Sequence, residues 1–291
     1  MEDLRLHCLE QLRRAGAELP KSDDVSSVLK AIHRLKWRLI EARPRDVYVS
    51  RVLRDRLAHR EELRRAVNDV IIEIEEGESL TPRLSRSVFR LKYDRLFNTW
   101  GIHHLHLAER IPGARLVEGA NEVLFVRVHS NVMLFIDVRP HGLETYVDRE
   151  LLEIVHAEWP ESIVAWRPPS TVQGLESDEV GEIAPELRHQ MRVVGINTMT
   201  QMKDGTVYCN PAVMLGGLPF EVRRRVDARL DLARKSEAWA RANSDHLASV
   251  LGAQAGRVFD ELHLTFVPNV NPRIRETTSG EIITIPTYRA A

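Results

Sequence analysis

Three histidines stand within four positions, at His103, His104 and His106, inside the segment FNTWGIHHLHL. If this segment is a β-strand, its side chains alternate between the two faces of a sheet. His104 and His106 then share one face, about 7 Å apart along the strand, while His103 points with Leu105 to the other face, which we expect to turn to the core. Imidazole titrates near neutrality, so one ring can accept a proton while a second donates one. The pattern predicts that His104 and His106 form an acid–base pair.

This chemistry suits cleavage of a phosphodiester, in which one imidazole removes a proton from a ribose hydroxyl and the other protonates the leaving oxygen. We expect His141 or His263 to assist the pair, because both lie in or beside predicted strands. Arginine forks match phosphate oxygens, and Arg139, Arg273 and Arg275 are the candidates to hold the substrate phosphate. These residues predict a metal-independent endoribonuclease that binds RNA and needs no cofactor.

A metal site is the alternative that the same histidines allow, since neutral imidazole is a frequent ligand of transition metals. His104 and His106 need a third ligand, and the nearest candidates are Asp137 and His141 at the end of a predicted neighbouring strand. The chain contains no HExxH motif, which excludes the common helical zinc-protease pattern. This alternative predicts a metal-dependent nuclease or hydrolase that uses one divalent metal ion.

The composition is that of an ordinary globular protein. Of 291 residues, 43% are hydrophobic and 29% are charged, and the net charge is -1, so no overall field directs the chain to nucleic acid or membranes. The two cysteines are far apart and lack CxxC spacing, which indicates a reducing compartment. The first residues, MEDLRLHC, carry acids where a signal peptide has bases, and no apolar run reaches the roughly 20 residues of a membrane span. We therefore expect a cytoplasmic protein without membrane contact.

The elements that position the histidines fall into two predicted parts. Residues 1–78 carry apolar side chains at helical spacing and predict a helical N-terminal region. Residues 79–291 predict an α+β domain in which residues 101–160 have the order β-β-β-α. We expect strands within residues 262–286 to join the same mixed sheet. The predicted fold class is therefore α+β, with a helical N-terminal region before a mixed or antiparallel sheet with packed helices.

The segment from Trp100 to Pro160, about a fifth of the chain, contains WGIHHLHL, two strands of the form LFxxV and the helix LLEIxHxxWP. In these motifs the chain resembles a group of uncharacterised bacterial proteins. The resemblance implies a bacterial toxin or phage-defence (antiviral) setting. It assigns no chemistry to any residue.

Two further motifs resemble those of enzymes that act on phosphate esters and RNA. HLTF at His263 resembles one half of the HxT/S pair of two-histidine phosphoesterases, although the segments around His104 and His106 lack the second hydroxyl residue. RDRLAH, from Arg54 to His59, is similar to the arginine–histidine motif of helical ribonucleases of the HEPN type. In a chain this rich in arginine, a solvated helix surface is the simpler interpretation of the second motif.

A non-enzymatic binding or scaffold protein is the remaining alternative. In that case the N-terminal helices dock a protein partner or a second copy of the chain, as amphipathic helices commonly do. This alternative predicts histidines buried in apolar contacts with no cleft beside them.

Overall fold

A computed structural model describes most of the chain. The described residues are 1–92, 94–111, 113–119, 121–142, 149–168, 187, 190–191, 199–209, 214–215, 218–259, 261, 263–267 and 273–285. Helices and mixed sheets occur together, so the predicted α+β class is confirmed. Among the described residues, no helix is both long enough and apolar enough to cross a lipid bilayer.

The regular elements are numbered here in chain order. The helices are α1 (Glu2–Arg14), α2 (Val25–Arg38), α3 (Arg51–Leu57), α4 (Glu61–Glu75), α5 (Arg95–Trp100), α6 (Glu150–Glu158), α7 (Phe220–Ala242) and α8 (Ser244–Ala255). The strands are β1 (Asp46–Val49), β2 (Ile102–His106), β3 (Glu122–Val128), β4 (Val132–Pro140), β5 (Met199–Gln201), β6 (Val207–Cys209), β7 (Met214–Leu215), β8 (Leu218–Pro219), β9 (Leu264–Val267), β10 (Arg273–Glu276) and β11 (Ile282–Thr284). Short 3₁₀ helices span Thr81–Arg83, Arg86–Val88 and Pro160–Trp166.

The chain divides into two compact units. Unit 1 consists of Met1–Trp37 and Val222–Ala291, and unit 2 consists of Arg38–Glu221. The histidine segment lies in unit 2. The predicted boundary between residues 78 and 79 falls inside unit 2, shortly before the buried residues Leu80 and Arg83.

A four-stranded sheet in the order β1-β4-β3-β2 forms the centre of unit 2. The predicted order β-β-β-α over residues 101–160 is confirmed by β2, β3, β4 and α6. The tight connection from β3 to β4 closes as a hairpin, in which the His129 amide donates to the Val132 carbonyl at 2.9 Å. β1 lies parallel to β4. This strand falls within the part of the sequence that was predicted to be helical, and the helical pattern gave no sign of it.

Helix α6 covers the sheet face that carries Ile102. Ile102, Phe125 and Ile136 pack in one apolar cluster with Leu151 and Val155 of α6. Because a helix seals this face and the other face is also covered, every residue of β2 is buried. The expectation that only the leucine face of β2 turns to the core was therefore wrong.

A single glycine joins α5 directly to β2. Asp94 begins the helix by accepting a hydrogen bond from the Phe97 amide at 2.9 Å. Gly101 ends it with a φ of 61°, and its amide donates to the Phe97 carbonyl at 2.8 Å. This left-handed conformation is accessible to glycine at little cost. The junction fixes which residues of β2 point to each face.

Unit 1 contains a separate three-stranded antiparallel sheet in the order β11-β10-β9. Ile274 of β10 packs with Leu247 and Leu251 of α8 in the core of this unit. The turn between β10 and β11 contains Gly280 with a φ of 80°, a conformation that glycine adopts at little cost. The expectation that these strands extend the sheet of β2 to β4 was wrong, because β9 to β11 pair with their sequence neighbours and bury their apolar residues against the helices of unit 1.

Candidate metal centre

Three imidazoles converge at one end of the sheet in unit 2. One nitrogen from each of His104, His106 and His141 lies within 4.8 Å of the other two. The ring centroids are 5.9 Å apart for His104 and His106, 5.9 Å for His104 and His141, and 5.4 Å for His106 and His141. This cluster, called the histidine triad below, unites the predicted pair with one of its predicted helpers.

The strand register explains how distant residues reach the same point. His104 and His106 are two residues apart on β2 and therefore share a face. His106 pairs with Val123, which in turn pairs with Arg139 of β4, so Arg139 is on the same face. His141 is two residues beyond Arg139, and its amide donates to the Asn121 carbonyl at 2.7 Å. This bond continues the ladder past the end of β4 and directs His141 toward β2.

The triad is buried on one side and open on the other. His104 and His106 are 7% and 9% exposed, whereas His141 is exposed to solvent. Burial lowers the pKa of His104 to about 4; Asp94 opposes this effect, while His106 and His141 add to it. Burial, with a further contribution from His141, also lowers the pKa of His106. The imidazoles of His104 and His106 are therefore neutral at pH 7, which is the form that binds a metal.

A carboxylate lies behind His104. The Asp94 Oδ2 atom is 3.9 Å from His104 Nδ1, and it also accepts a hydrogen bond from Arg38 at 3.0 Å. The Asp94–Arg38 pair is almost completely buried. Carboxylates near metal-binding histidines orient the ring and select the tautomer. At 3.9 Å the separation is too long for a hydrogen bond, so Asp94 acts on His104 through its charge, which opposes the lowering of the His104 pKa by burial.

An arginine holds the backbone at the end of β2. Arg83 donates to both carboxylate oxygens of Glu73 at 2.7 Å, and this pair is buried. The same guanidinium donates to the carbonyl of His106 at 3.1 Å and to that of Ala108 at 3.2 Å. These hydrogen bonds fix the backbone from which the His106 side chain projects.

Asp137, the other candidate for the third ligand, is bound to arginines. Its carboxylate is fully buried and accepts from Arg56 at 2.8 and 3.2 Å and from Arg139 at 2.8 Å. Arg139 also lies 3.1 Å from Glu150. The third position beside His104 and His106 is therefore taken by His141, and the charge of Arg139 is balanced by two carboxylates.

His103 points to the other face of β2, as the alternation predicts. Its ring lies 4.2 Å from that of Phe97 between centroids. Burial lowers the pKa of His103 to about 3. His103 is thus a neutral core residue that packs β2 against α5.

The other sequence candidates lie in unit 1. Arg273 and Arg275 belong to β10, and His263 directly precedes β9. His263 is exposed, and its Nε2 atom lies 3.9 Å from Glu261. All three residues belong to a sheet region separate from the sheet that carries the triad.

Four residues around the triad were not predicted from the sequence: Asp94, Arg38, Glu73 and Arg83. A local signal existed for Asp94 alone, because an aspartate three residues before Phe97 matches a helix N-cap. The partners of Arg83 lie 10, 23 and 25 positions away, and no local pattern encodes such contacts.

The chemistry of the three side chains limits which metal the triad could hold. Three imidazole ligands suit zinc, copper, iron or nickel better than magnesium or calcium, which prefer oxygen ligands. Catalytic zinc sites typically combine three protein ligands with one open position for water, whereas structural sites use four protein ligands. Within the described residues the triad offers three such ligands, and its exposed side at His141 leaves room for a fourth ligand from solvent.

Comparisons of the chain with protein-family models, curated proteins and solved structures gave no significant match. The fold and the histidine triad therefore carry the functional interpretation by themselves.

Proposed function

We propose that the histidine triad binds one divalent transition-metal ion, with zinc as the first candidate, and that the protein is a metal-dependent hydrolase. The observation that carries the proposal is the convergence of three imidazole nitrogens within 4.8 Å of one another. Zinc–nitrogen bonds of 2.0–2.1 Å place tetrahedral ligands about 3.3 Å apart. Small rotations of the three side chains close the remaining difference.

Hydrolysis follows from the open side of the site. A zinc-bound water has a pKa of about 7, compared with 15.7 for bulk water, so the ion generates hydroxide at neutral pH. Solvent and substrate reach the ion from the side of His141, while His104 and His106 are shielded by the sheet and its neighbours. The hydroxide would attack a phosphorus or carbonyl centre, and the bond to the ester oxygen would break, with water protonating the departing oxygen. RNA is the first substrate to test.

Metal binding is tested by elemental analysis and by titration of the purified, chelator-treated protein with zinc. We expect one equivalent of zinc in the native protein, and an affinity reduced at least about 100-fold when His104, His106 or His141 is replaced by alanine. His59, an exposed histidine of the same unit, gives the matched control His59→Ala, which should bind zinc as the native protein does. Equal zinc affinity in His141→Ala and His59→Ala would refute the proposed site.

The metal-independent ribonuclease predicted from the sequence is the competing proposal. It is favoured by the close approach of His104 and His106, whose ring centroids are 5.9 Å apart. The lowered pKa values of both rings weigh against it, because a general acid must be protonated at the working pH. RNA cleavage by metal-free protein in the presence of chelator would favour this alternative. Cleavage that requires added metal would favour the metallohydrolase.

The cellular setting stays a prediction. The bacterial toxin or phage-defence role, the RNA partner, the protein partner or homodimer and the cytoplasmic location come from the sequence. Expression of the protein in bacteria tests the toxin role, because growth inhibition that His141→Ala abolishes would link toxicity to the triad. Growth inhibition that persists unchanged in the His141→Ala variant would show that toxicity does not depend on the triad.

A further inference from the structure

A second group of polar side chains lies on the same sheet face as the triad, at the opposite end. Arg127 of β3 pairs with Ile102, the first residue of β2, whereas Val123 pairs with His106. Arg127 and Val123 are four residues apart on β3, so Arg127 lies about 13 Å along the strand from the position opposite His106. Phe125, which is completely buried, stands between them. The two ends of this face are thus distinct sites.

Arg127 is a buried cation without a carboxylate partner among the described residues. The residue is 8% exposed, and its guanidinium stacks over the Trp166 ring at 4.3 Å from the centroid. Among the described residues, the guanidinium donates one hydrogen bond, which is long: 3.4 Å from Nη1 to Ser162 Oγ. Burial alone lowers the pKa of Arg127 to about 10, so the group stays charged at neutral pH. Buried charges are normally paired, and an exception requires an explanation.

An unsatisfied imidazole nitrogen lies near the guanidinium. His129 is two residues from Arg127, directly after the end of β3, and the charge of Arg127 acts on its imidazole. Its Nε2 atom is buried and has no hydrogen-bond partner in the described part of the chain. Burial and the nearby charge of Arg127 lower the pKa of His129, and exposed Glu161 opposes them. A guanidinium without a carboxylate partner and an unsatisfied imidazole nitrogen thus belong to neighbouring residues at this end of the sheet.

We propose that Arg127, His129 and Ser162 form a binding site for a phosphate group. The indole of Trp166 covers one face of the guanidinium, which leaves the N–H groups along its edge to donate to an oxyanion. Ser162 supplies a hydroxyl, and His129 supplies a ring nitrogen that donates when Nε2 is protonated. A tetrahedral oxyanion accepts several donors from different directions and neutralises the buried charge.

The test is titration of the native protein with inorganic phosphate, followed by calorimetry and by thermal unfolding. We expect saturable binding, a rise in the unfolding temperature, and affinity weakened at least about tenfold in Arg127→Gln, because charged donors make the stronger hydrogen bonds. Adenosine monophosphate, tested in parallel, distinguishes a site for free phosphate from one for a phosphorylated molecule. Acetate should bind more weakly than either.

The matched control is Arg60→Gln. Arg60 is also an arginine of unit 2, but its guanidinium donates to both carboxylate oxygens of Glu122, at the opposite end of β3 from Arg127. This variant should therefore bind phosphate nearly as the native protein does, provided that its unfolding transition shows it to be folded. Ser162→Ala serves as a milder second variant and should weaken binding by a smaller factor. Failure of native protein to bind either phosphate compound, or equal binding by native protein and Arg127→Gln, would overturn the proposal. Neither result depends on whether the triad holds a metal ion.

Discussion

The three imidazoles of the triad differ in their access to solvent, and this difference sets their chemistry. His104 and His106 are held neutral by burial, while His141 remains exposed. A pair with lowered pKa values is poorly suited to proton donation at pH 7 but well suited to bind a cation. For this reason the same residues that predicted acid–base catalysis from sequence favour metal binding once their surroundings are known.

Asp94 should affect metal binding without touching the metal. Replacing outer-shell carboxylates typically costs 10–100-fold in affinity, so we expect Asp94→Asn to weaken zinc binding by about that factor. Asparagine also caps helices well, so the start of α5 should persist. Asp69→Asn, an exposed change in α4, is the control for the loss of one charge. An Asp94→Asn protein with native zinc affinity would show that Asp94 serves the fold alone.

His33 of unit 1 should make the protein sensitive to acid. Burial lowers its pKa from 6.5 to about 4, with help from Lys36, Arg225 and Arg229. Between these two pH values the unfolded chain binds more protons than the folded one, so stability falls as the pH drops from about 6.5 to 4. The contribution of one such group is at most about 1.4 kcal/mol per pH unit.

Urea unfolding at several pH values measures this effect. His33→Gln should show a shallower loss of stability than the native protein over the same interval, since glutamine does not titrate. Other buried histidines contribute to the total, so the difference between the two proteins is the quantity to compare. Parallel curves for both proteins would contradict the assignment to His33.

At the scale of elements, the end of β2 depends on the buried pair of Arg83 and Glu73. Removing one partner of a buried ion pair typically costs about 3–5 kcal/mol. We expect Arg83→Met to lower the free energy of unfolding by about this amount and to weaken zinc binding, because the His106 carbonyl loses its donor. The double variant Arg83→Met/Glu73→Leu should recover part of the stability.

The control is Arg86→Met, an exposed change nearby, which should alter the free energy of unfolding by well under 1 kcal/mol.

Chemical denaturation and zinc titration on the same variants separate the two effects. If Arg83→Met unfolds as the native protein does, the pair contributes little to stability. If the double variant regains stability but not zinc affinity, the contact with the His106 carbonyl carries the effect on the metal.

The strands of unit 2 differ in how well the sequence predicts them. VLFVRV and VMLFIDV are β-branched runs joined by a turn, so β3 and β4 are evident locally. β1 has four residues of mixed exposure between helices, and its place is set by pairing with β4, which lies far along the chain. His141 joins the triad through the same kind of long-range pairing. The candidate ligands can therefore be predicted from the sequence. The choice of His141 over Asp137 cannot, because it depends on the arginines that surround Asp137 in the folded structure.

For the whole molecule, the main difference from expectation is the grouping of the ends of the chain. The sequence predicts a helical first part and an α+β second part, whereas unit 1 combines the first 37 residues with the last 70. Composition and periodicity describe each segment separately and do not reveal which distant segments share a core. The separate sheet of β9 to β11 is a consequence of that packing.

Metal removal should destabilise unit 2 selectively. A ligand present at 100 times its dissociation constant stabilises the folded state by about 2.7 kcal/mol. Hydrogen exchange should therefore show faster exchange of β2 to β4 after chelation, with β9 to β11 less affected. His141→Ala should exchange like the chelated native protein under both conditions. Identical exchange of native protein with and without zinc would argue against a metal that is bound within the sheet.

The junction at Gly101 also limits how the length of this protein can vary. α5 ends at Trp100 and β2 begins at Ile102, so no loop is available to absorb an added residue. Side chains alternate along a strand, so one inserted or deleted residue would turn His104 and His106 to the opposite face of the sheet. His103 would then occupy the face on which the triad now lies. Insertions and deletions should be tolerated at exposed turns of the chain. At the junction between α5 and β2, however, a change in length of one residue would separate the three histidines of the triad even though all three remain in the sequence.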